Sequence, residues 1–380
     1  MMKMETTKRN YRIFGILIFL GIMLRYIVML LGNNFDFESY CIVGEIAGNF
    51  RNVYAETERY NYAPIFFCIQ GILYRISQMN PENWMLIYRI LIVFVLTLAD
   101  LGITFFIAYK YSLKKAIYFF LNPISIFITG YHNQFDNIAI FFALIAILFF
   151  NEEETFNRKD VGFVLFISLS LMIKHILFLL PVFLLLNKNL PFKKKILYGF
   201  IPPSFFVMSF IPFALDSRVA FEGILNNVFL YRSFNNSPFL SIFYKLIDFP
   251  SNYKIVVYGI MMSGVAFIVR KCKFDTVLMV YLITMVVFAS AIANQYLVIP
   301  MAALCVLEVG IWDKVYMFVV SVFLILHNHG LGGLNIIQTN LSGSILEWGT
   351  SMFVRGGYII ATWILFFSII ALFRRRITKN

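Results

Sequence analysis

Two carboxylates one residue apart, Asp36 and Glu38, follow directly on an apolar run that ends near Leu31. Just outside a membrane, such a pair can serve as general base, metal ligand or both. The plainer reading is a solvated helix start, because acidic side chains favour helix N-termini. A second group is His132-Asn133-Gln134-Phe135-Asp136, four polar side chains in five residues between two apolar runs. Such residues are expensive at a membrane edge unless they face water or a ligand, so the stretch is either a binding surface or an interfacial turn. The third is Lys174-His175, which interrupts an otherwise apolar stretch. A charge there costs roughly 2.5–3.5 kcal/mol on insertion scales and demands a partner. The partner is either an Asp, in a structural pair, or a phosphate, to which lysine presents a compact point charge. Asn294-Gln295-Tyr296 opens a further apolar run; Gln and Tyr offer donors there, while Tyr is also a common interfacial anchor. Asp100 and Arg89, lone charges in one apolar run, read as structural groups that pair within the bundle.

Several chemistries are not signalled. There is no Gly-rich phosphate loop, H-E-x-x-H or G-x-S-x-G. The four cysteines are dispersed with no C-x-x-C pair, too few for a disulfide framework or a zinc site. His327 and His329 lie two apart, a poor spacing for a helical metal site. N-x-S matches occur at Asn235 and Asn340.

What must position these groups is a membrane bundle. Apolar residues make up 60% of the 380 and charged residues 14%, with mean hydropathy +0.79, against roughly 25% charged in a soluble domain. The net charge of +12 invites a nucleic-acid reading, but position excludes it. Of the 32 Lys and Arg, 21 sit in short clusters beside apolar runs, the bias that marks cytoplasmic loops. Nothing is long and polar enough to be a soluble domain, so residues 1–380 form one transmembrane unit. The first apolar run lacks an A-x-A-like cleavage site and reads as a retained helix.

Placing the basic clusters in the cytoplasm predicts about twelve spans, although a span needs about 20 residues and several here are shorter. They lie near 12–32, 84–109, 116–131, 136–151, 161–173, 175–187, 195–215, 253–270, 275–293, 295–311, 314–330 and 353–373. Both termini are then cytoplasmic. The pair 161–173 and 175–187 reads as a broken hairpin turning at Lys174-His175. Residues 61–79 are apolar enough to cross, yet a crossing would put Lys110, Lys114 and Lys115 outside, so they read as an interfacial or re-entrant helix. The outer loops are 32–83, carrying Arg59, Tyr60 and Tyr62, the turn 130–136, the large loop 216–252, carrying Tyr231 and Arg232, and 331–351.

In this order the features resemble the GT-C superfamily of membrane glycosyltransferases, and within it the mannosyltransferase that adds the first mannose of GPI anchors together with related bacterial families. The likeness spans roughly residues 10 to 310. It rests on Asp36-Phe-Glu38, on Val53-Tyr54 with Arg59-Tyr-Asn-Tyr-Ala-Pro64-Ile, and on Asn122-Pro123 leading into Gly130 to Asp136. It continues with Lys174-His175 and Asn294-Gln-Tyr-Leu-Val-Ile-Pro300. The chain departs in having Asp-x-Glu where Asp-x-Asp is usual, and His175 where Pro or Gln is common.

The resemblance implies an all-α bundle of about twelve spans and transfer of a mannose-like hexose, with inversion, from a polyprenyl-phosphate sugar. The acceptor is a hydroxyl of a glycan, glycolipid or protein on the non-cytoplasmic side, and the setting is a plasma membrane in bacteria or the ER membrane in eukaryotes. Asp36 would be the base, with Glu38 beside it. Arg59, Tyr60, Tyr62, His132, Gln134 and Asp136 would bind acceptor or sugar. Lys174, His175, Tyr231, Arg232, Gln295 and Tyr296 would hold the donor phosphate. No cofactor is required, since a monophosphate leaving group needs less charge than a diphosphate; Asp36, Glu38 and Asp136 are where a divalent metal would sit. The readings from other classes are a transporter or flippase of a lipid-linked saccharide, for which inverted repeats would be expected and none is seen, and a polysaccharide polymerase, for which loop 216–252 carries few arginines, Arg218 and Arg232.

Overall fold

The computed structural model describes residues 2–231, 238–239, 254–289, 291–327 and 345–377. Its regular elements are helices, with no strand among the described residues. Helix α1 spans Met2–Leu30, α2 Phe35–Gly48, α3 Val53–Glu56, α4 Pro64–Ser77, α5 Trp84–Lys110, α6 Leu113–Phe120, α7 Pro123–Gly130, α8 Asp136–Phe149 and α9 Arg158–Ile173. Further helices run to Ile377 and include Lys254–Val269, Phe274–Phe288, Met301–Leu307, Ile311–His327 and Ile345–Ile377.

Local chemistry fixes where these helices begin. Asn34, Asn52 and Asn122 each accept a backbone N–H of the first turn of α2, α3 and α7, the favoured role of Asn at an N-cap. Pro64 and Pro123 occupy the first position of α4 and α7, where the missing N–H is harmless. Asn157 and Asp160 form a capping box at α9.

Among the described residues, four helices are long and apolar enough to cross a membrane: Tyr11–Leu30, Trp84–Lys110, Phe192–Ala214 and Gly356–Arg375. The segments read as separate spans at 161–173 and 175–187 reach crossing length only together, bent by 113°. The break falls at Lys174, whose backbone is extended (φ −152°, ψ 126°). The run 116–131 is likewise divided, α6 ending at Phe120 and α7 starting at Pro123. Helix α4, inside the ambiguous stretch 61–79, has 14 residues, about 21 Å against a hydrocarbon core of about 30 Å.

The packing gathers these short pieces. Helix α4 lies on α2, α8 on α9 and α5, and α7 on α1. Gly130 makes the last approach close: a Cβ there would sit 2.5 Å from the Arg25 carbonyl oxygen. Aromatic rings tie α4 and the loop before it to the 130–136 turn. Phe66 stacks on Phe135 at 3.8 Å, and Tyr62 meets Phe135 edge-on at 4.9 Å, geometries worth about 0.5–1.5 kcal/mol each beyond burial.

Candidate functional site

The turn between α7 and α8 is built around Asn133, which takes a left-handed conformation (φ 55°); Asn tolerates this better than most residues. Its side-chain amide donates to the carbonyls of Thr129 and Gly130, at 3.1 and 2.9 Å, closing the end of α7. Its carbonyl oxygen accepts from Arg89 Nε at 3.2 Å, and Arg89 also donates to the Gly32 carbonyl. Arg89 therefore joins the turn to the loop before α2 instead of meeting a carboxylate.

That link brings the sequence-selected groups together. Gln134 Nε2 donates to Asp36 Oδ2 at 2.5 Å, and Asn34 Nδ2 donates to the same oxygen at 2.9 Å. Neither bond uses Asp36 Oδ1, and Asp36 is half-buried. Lys174 Nζ donates to Asp136 Oδ2 at 2.6 Å, with both side chains almost wholly buried. Its ammonium also lies 4.6 Å from the Phe135 ring centre and 5.0 Å from that of Tyr62, within cation–π range. Asp136 Oδ1 has no hydrogen-bond partner among the described residues.

Beside Lys174 is a cavity of about 190 Å³ whose wall includes Tyr62, His175, Tyr281 and Tyr296. The Tyr62 phenol is raised above its ordinary pKa by burial first, then by the negative charges of Asp136 and Asp36 and by Tyr231. It stays protonated and can donate a hydrogen bond. His175 is positioned by ring contacts with Tyr62 and Phe206, at 5.9 and 6.2 Å. No family model, curated protein or solved structure matches the chain. The chemistry has to be argued from this constellation: a carboxylate with an open oxygen, and a cation with protons to spare beside a phenol-lined cavity.

Other selected residues lie elsewhere. Glu38 is exposed and faces Arg59 at 3.8 Å, while Arg59 lies over the Phe35 ring at 4.4 Å. The cause is helical geometry: α2 begins at Phe35, so Asp36 and Glu38, two apart, point about 200° away from each other. The trio Asp36, Glu38 and Asp136 therefore does not converge on a metal, and no group of three potential ligands occurs among the described residues. Tyr60 is buried and donates its hydroxyl to the Ala63 carbonyl at 2.7 Å, which fixes the loop and takes its donor away from any ligand. His132 is buried against Tyr131, with ring centres 5.2 Å apart, and is not part of the cavity wall. Gln295 is half-buried and absent from that wall, although its neighbour Tyr296 forms part of it. Tyr231 is half-exposed; Arg232, Asn235 and Asn340 lie outside the described residues.

Asp100, expected to pair within the bundle, does so, and it also anchors both ends of the turn, a role its sequence position did not signal. Asp100 receives Arg25 Nε at 2.8 Å, Thr129 Oγ1 at 2.7 Å and Asn137 Nδ2 at 2.5 Å. Thr129 and Asn137 flank the 130–136 turn, so one carboxylate on α5 holds it from both sides. The available signal for its partner was the lone Arg25 in the first apolar run.

Proposed function

We propose that the protein is a GT-C-type glycosyltransferase that moves a hexose from a polyprenyl-phosphate sugar to an acceptor hydroxyl, on the non-cytoplasmic side of a membrane. The observation that carries this is the junction of Asp36, through Gln134 and the 130–136 turn, to the Lys174 cavity. One end of that junction suits a base and the other suits a phosphate.

The steps follow from the groups present. The acceptor hydroxyl hydrogen-bonds Asp36 Oδ1, the oxygen left open by Asn34 and Gln134. Its oxygen attacks the anomeric carbon from the face opposite the phosphate, and the hydroxyl proton passes to Asp36. The bond from the anomeric carbon to the phosphate oxygen breaks, inverting the configuration and releasing polyprenyl phosphate. Charge growing on that phosphate is met by the Lys174 ammonium and by the phenols of Tyr62 and Tyr296, preorganised donors of the kind that stabilise transition states most. One proton of Lys174 is held by Asp136, leaving two for a ligand. Balanced against Asp136, Lys174 presents a local rather than a net charge, which suits a monophosphate. The short and broken helices around the site suit the reading too, because such segments persist at membrane depth only against protein or a cavity. In this reading the chain crosses about twelve times, with both termini cytoplasmic and the candidate site at the opposite face.

The test is transfer of labelled hexose from a synthetic polyprenyl-phosphate hexose by purified protein in lipid vesicles. Asp36→Asn is expected to lower turnover by roughly 10²–10⁴, the range of general base catalysis, with its thermal midpoint unchanged. Full turnover by Asp36→Asn would remove Asp36 as the base. Movement of the lipid-linked sugar across the vesicle membrane without any transferred product would replace the enzyme reading with transport.

A further inference from the structure

A second cavity, of about 540 Å³, lies at the other end of the bundle. Helix α5 measures the separation. Arg89, near its start, contacts the candidate site through Asn133, and Lys110 ends it beside the second cavity's Lys114 and Lys115. From Arg89 to Lys110 the helix rises ~32 Å, about one hydrocarbon thickness.

The cavity's walls are mainly apolar, formed by Ile117 and Tyr118 of α6 and by Leu304 and Cys305 of Met301–Leu307. Its rim is charged: Lys114, Lys115 and Lys314 with Glu308 and Asp313. The two carboxylates are engaged by the frame. Glu308 Oε2 lies 3.4 Å from Lys115 Nζ, which also donates to the Val306 carbonyl at 2.8 Å. Asp313 is buried in the first turn of Ile311–His327, where its Oδ1 accepts the Lys314 backbone N–H at 2.9 Å. Lys114 and Lys314 are exposed, and among the described residues neither has a carboxylate within ion-pair distance. Glu308 is itself left-handed (φ 45°), a strained conformation that recurs at ligand clamps. Arg375 supports that turn by donating to the Glu308 carbonyl at 2.8 Å.

An apolar slot with a basic rim, one membrane thickness from the candidate site, matches an amphiphile whose head is anionic and whose tail is hydrocarbon. We propose that this cavity binds an anionic phospholipid of the leaflet opposite the candidate active site. The phosphate lies between the ammonium groups of Lys114 and Lys314, and an acyl chain runs along Ile117, Tyr118 and Leu304. Tyr118, Ile311 and Phe318 are all exposed around the same end, so the slot opens onto an apolar surface that lipid covers. Basic recesses between helices on the cytoplasmic side are recurrent sites for lipid head groups. The assignment stands without glycosyl transfer; it needs only the bundle's placement in a membrane.

The experiment measures phosphatidylglycerol retained per protein after purification from mixed phosphatidylcholine–phosphatidylglycerol vesicles, by mass spectrometry of the bound lipid. The unmodified protein is expected to retain it. Lys114→Gln and Lys314→Gln should each reduce retention about fivefold, the equivalent of the ~1 kcal/mol that a basic side chain contributes near an anionic surface. The Lys114→Arg/Lys314→Arg variant should keep it. Unfolding midpoints in phosphatidylcholine alone, equal for all variants, establish that each is folded. Equal retention by the glutamine variants would mean that the lysines only orient the chain and would overturn the site. Displacement of the lipid by excess glycerol 3-phosphate would assign the cavity to a soluble phosphate ester and overturn the lipid.

Discussion

Three buried ion pairs occur among the described residues, and two of them are built to opposite ends. Arg25–Asp100 and Lys174–Asp136 are alike in separation, 2.8 and 2.6 Å, and in their near-complete burial. Around Asp100 both oxygens are occupied, Oδ2 by Arg25 and Thr129 and Oδ1 by Asn137. Arg25 donates through Nη1 to the Gly21 carbonyl, at 2.9 Å, and lies over the Phe120 ring; its Nη2 is buried with no partner among the described residues, but no cavity reaches it. Around Asp136 one oxygen has no partner among the described residues, and Lys174 forms part of a cavity wall. A closed pair can only hold helices together. The open pair has lysine protons left over at a cavity wall, and those are what a ligand can use.

The largest effect should come from breaking the closed pair. Asp100→Ala strands the Arg25 charge and removes the common acceptor of α1, α7 and α8, so destabilisation of about 3–5 kcal/mol is expected. Unfolding in detergent, followed by a thermal or denaturant scan, measures it. Arg25→Met/Asp100→Leu should recover most of that loss, because replacing both members of a buried pair with apolar groups is often neutral. A double variant as unstable as Asp100→Ala would show that the bonds to Thr129 and Asn137, and not the charge pair, hold the turn.

Breaking the open pair should show the reverse balance. Lys174→Met is expected to lower hexose transfer by about 10²–10³, the loss typical of removing one transition-state donor. Its cost in stability should be smaller than that of Asp100→Ala, about 1–3 kcal/mol, because Asp136 has one side-chain partner where Asp100 has three, and the lysine it loses borders a cavity. If stability falls as far as in Asp100→Ala while activity per folded molecule is kept, the two pairs are equivalent and the distinction fails. Tyr62→Phe removes one neutral donor from the same wall. About 1 kcal/mol, or roughly fivefold in transfer, is expected, with no change in the unfolding midpoint.

The contrast also separates what the chain reveals directly from what it hides. The groups of the candidate site were legible because each violates its local background: Asp36 just past an apolar run, four polar residues in 132–136, a lysine inside a hydrophobic stretch. The break at Lys174 could be read from its charge; the one at Asn122-Pro123, signalled by an N-cap followed by proline, lies inside what the apolar pattern read as one span, 116–131. Partner choice was not legible. Asp100 could be recognised as needing a cation, but Arg89 is nearer in sequence than Arg25, and only packing of α1 against α5 and α7 decides between them. Burial was equally hidden: Tyr60 and Tyr62 are two residues apart with the same chemistry, yet one hydroxyl is spent on Ala63 while the other ring forms part of the cavity wall. Span count suffers for the same reason, since helices of 14 to 16 residues such as α8 and α9 are apolar like spans but too short to be counted by length.

The smallest effect belongs to the carboxylate that spacing had placed beside Asp36. Glu38 has 65% of its side chain exposed and Arg59 has 38%, at an ion-pair distance of 3.8 Å. Exposed pairs of this kind contribute about 0–1 kcal/mol, and water screens any field that Glu38 exerts on the far side of α2. Glu38→Gln is therefore expected to change transfer by less than about twofold and stability by less than about 0.5 kcal/mol, against the orders of magnitude expected for Asp36→Asn. The pair of variants, assayed together, turns the helical offset of these residues into a measurement. A loss for Glu38→Gln as deep as for Asp36→Asn would mean that the two carboxylates share one task in the proposed transfer, and that the start of α2 rearranges when substrate binds.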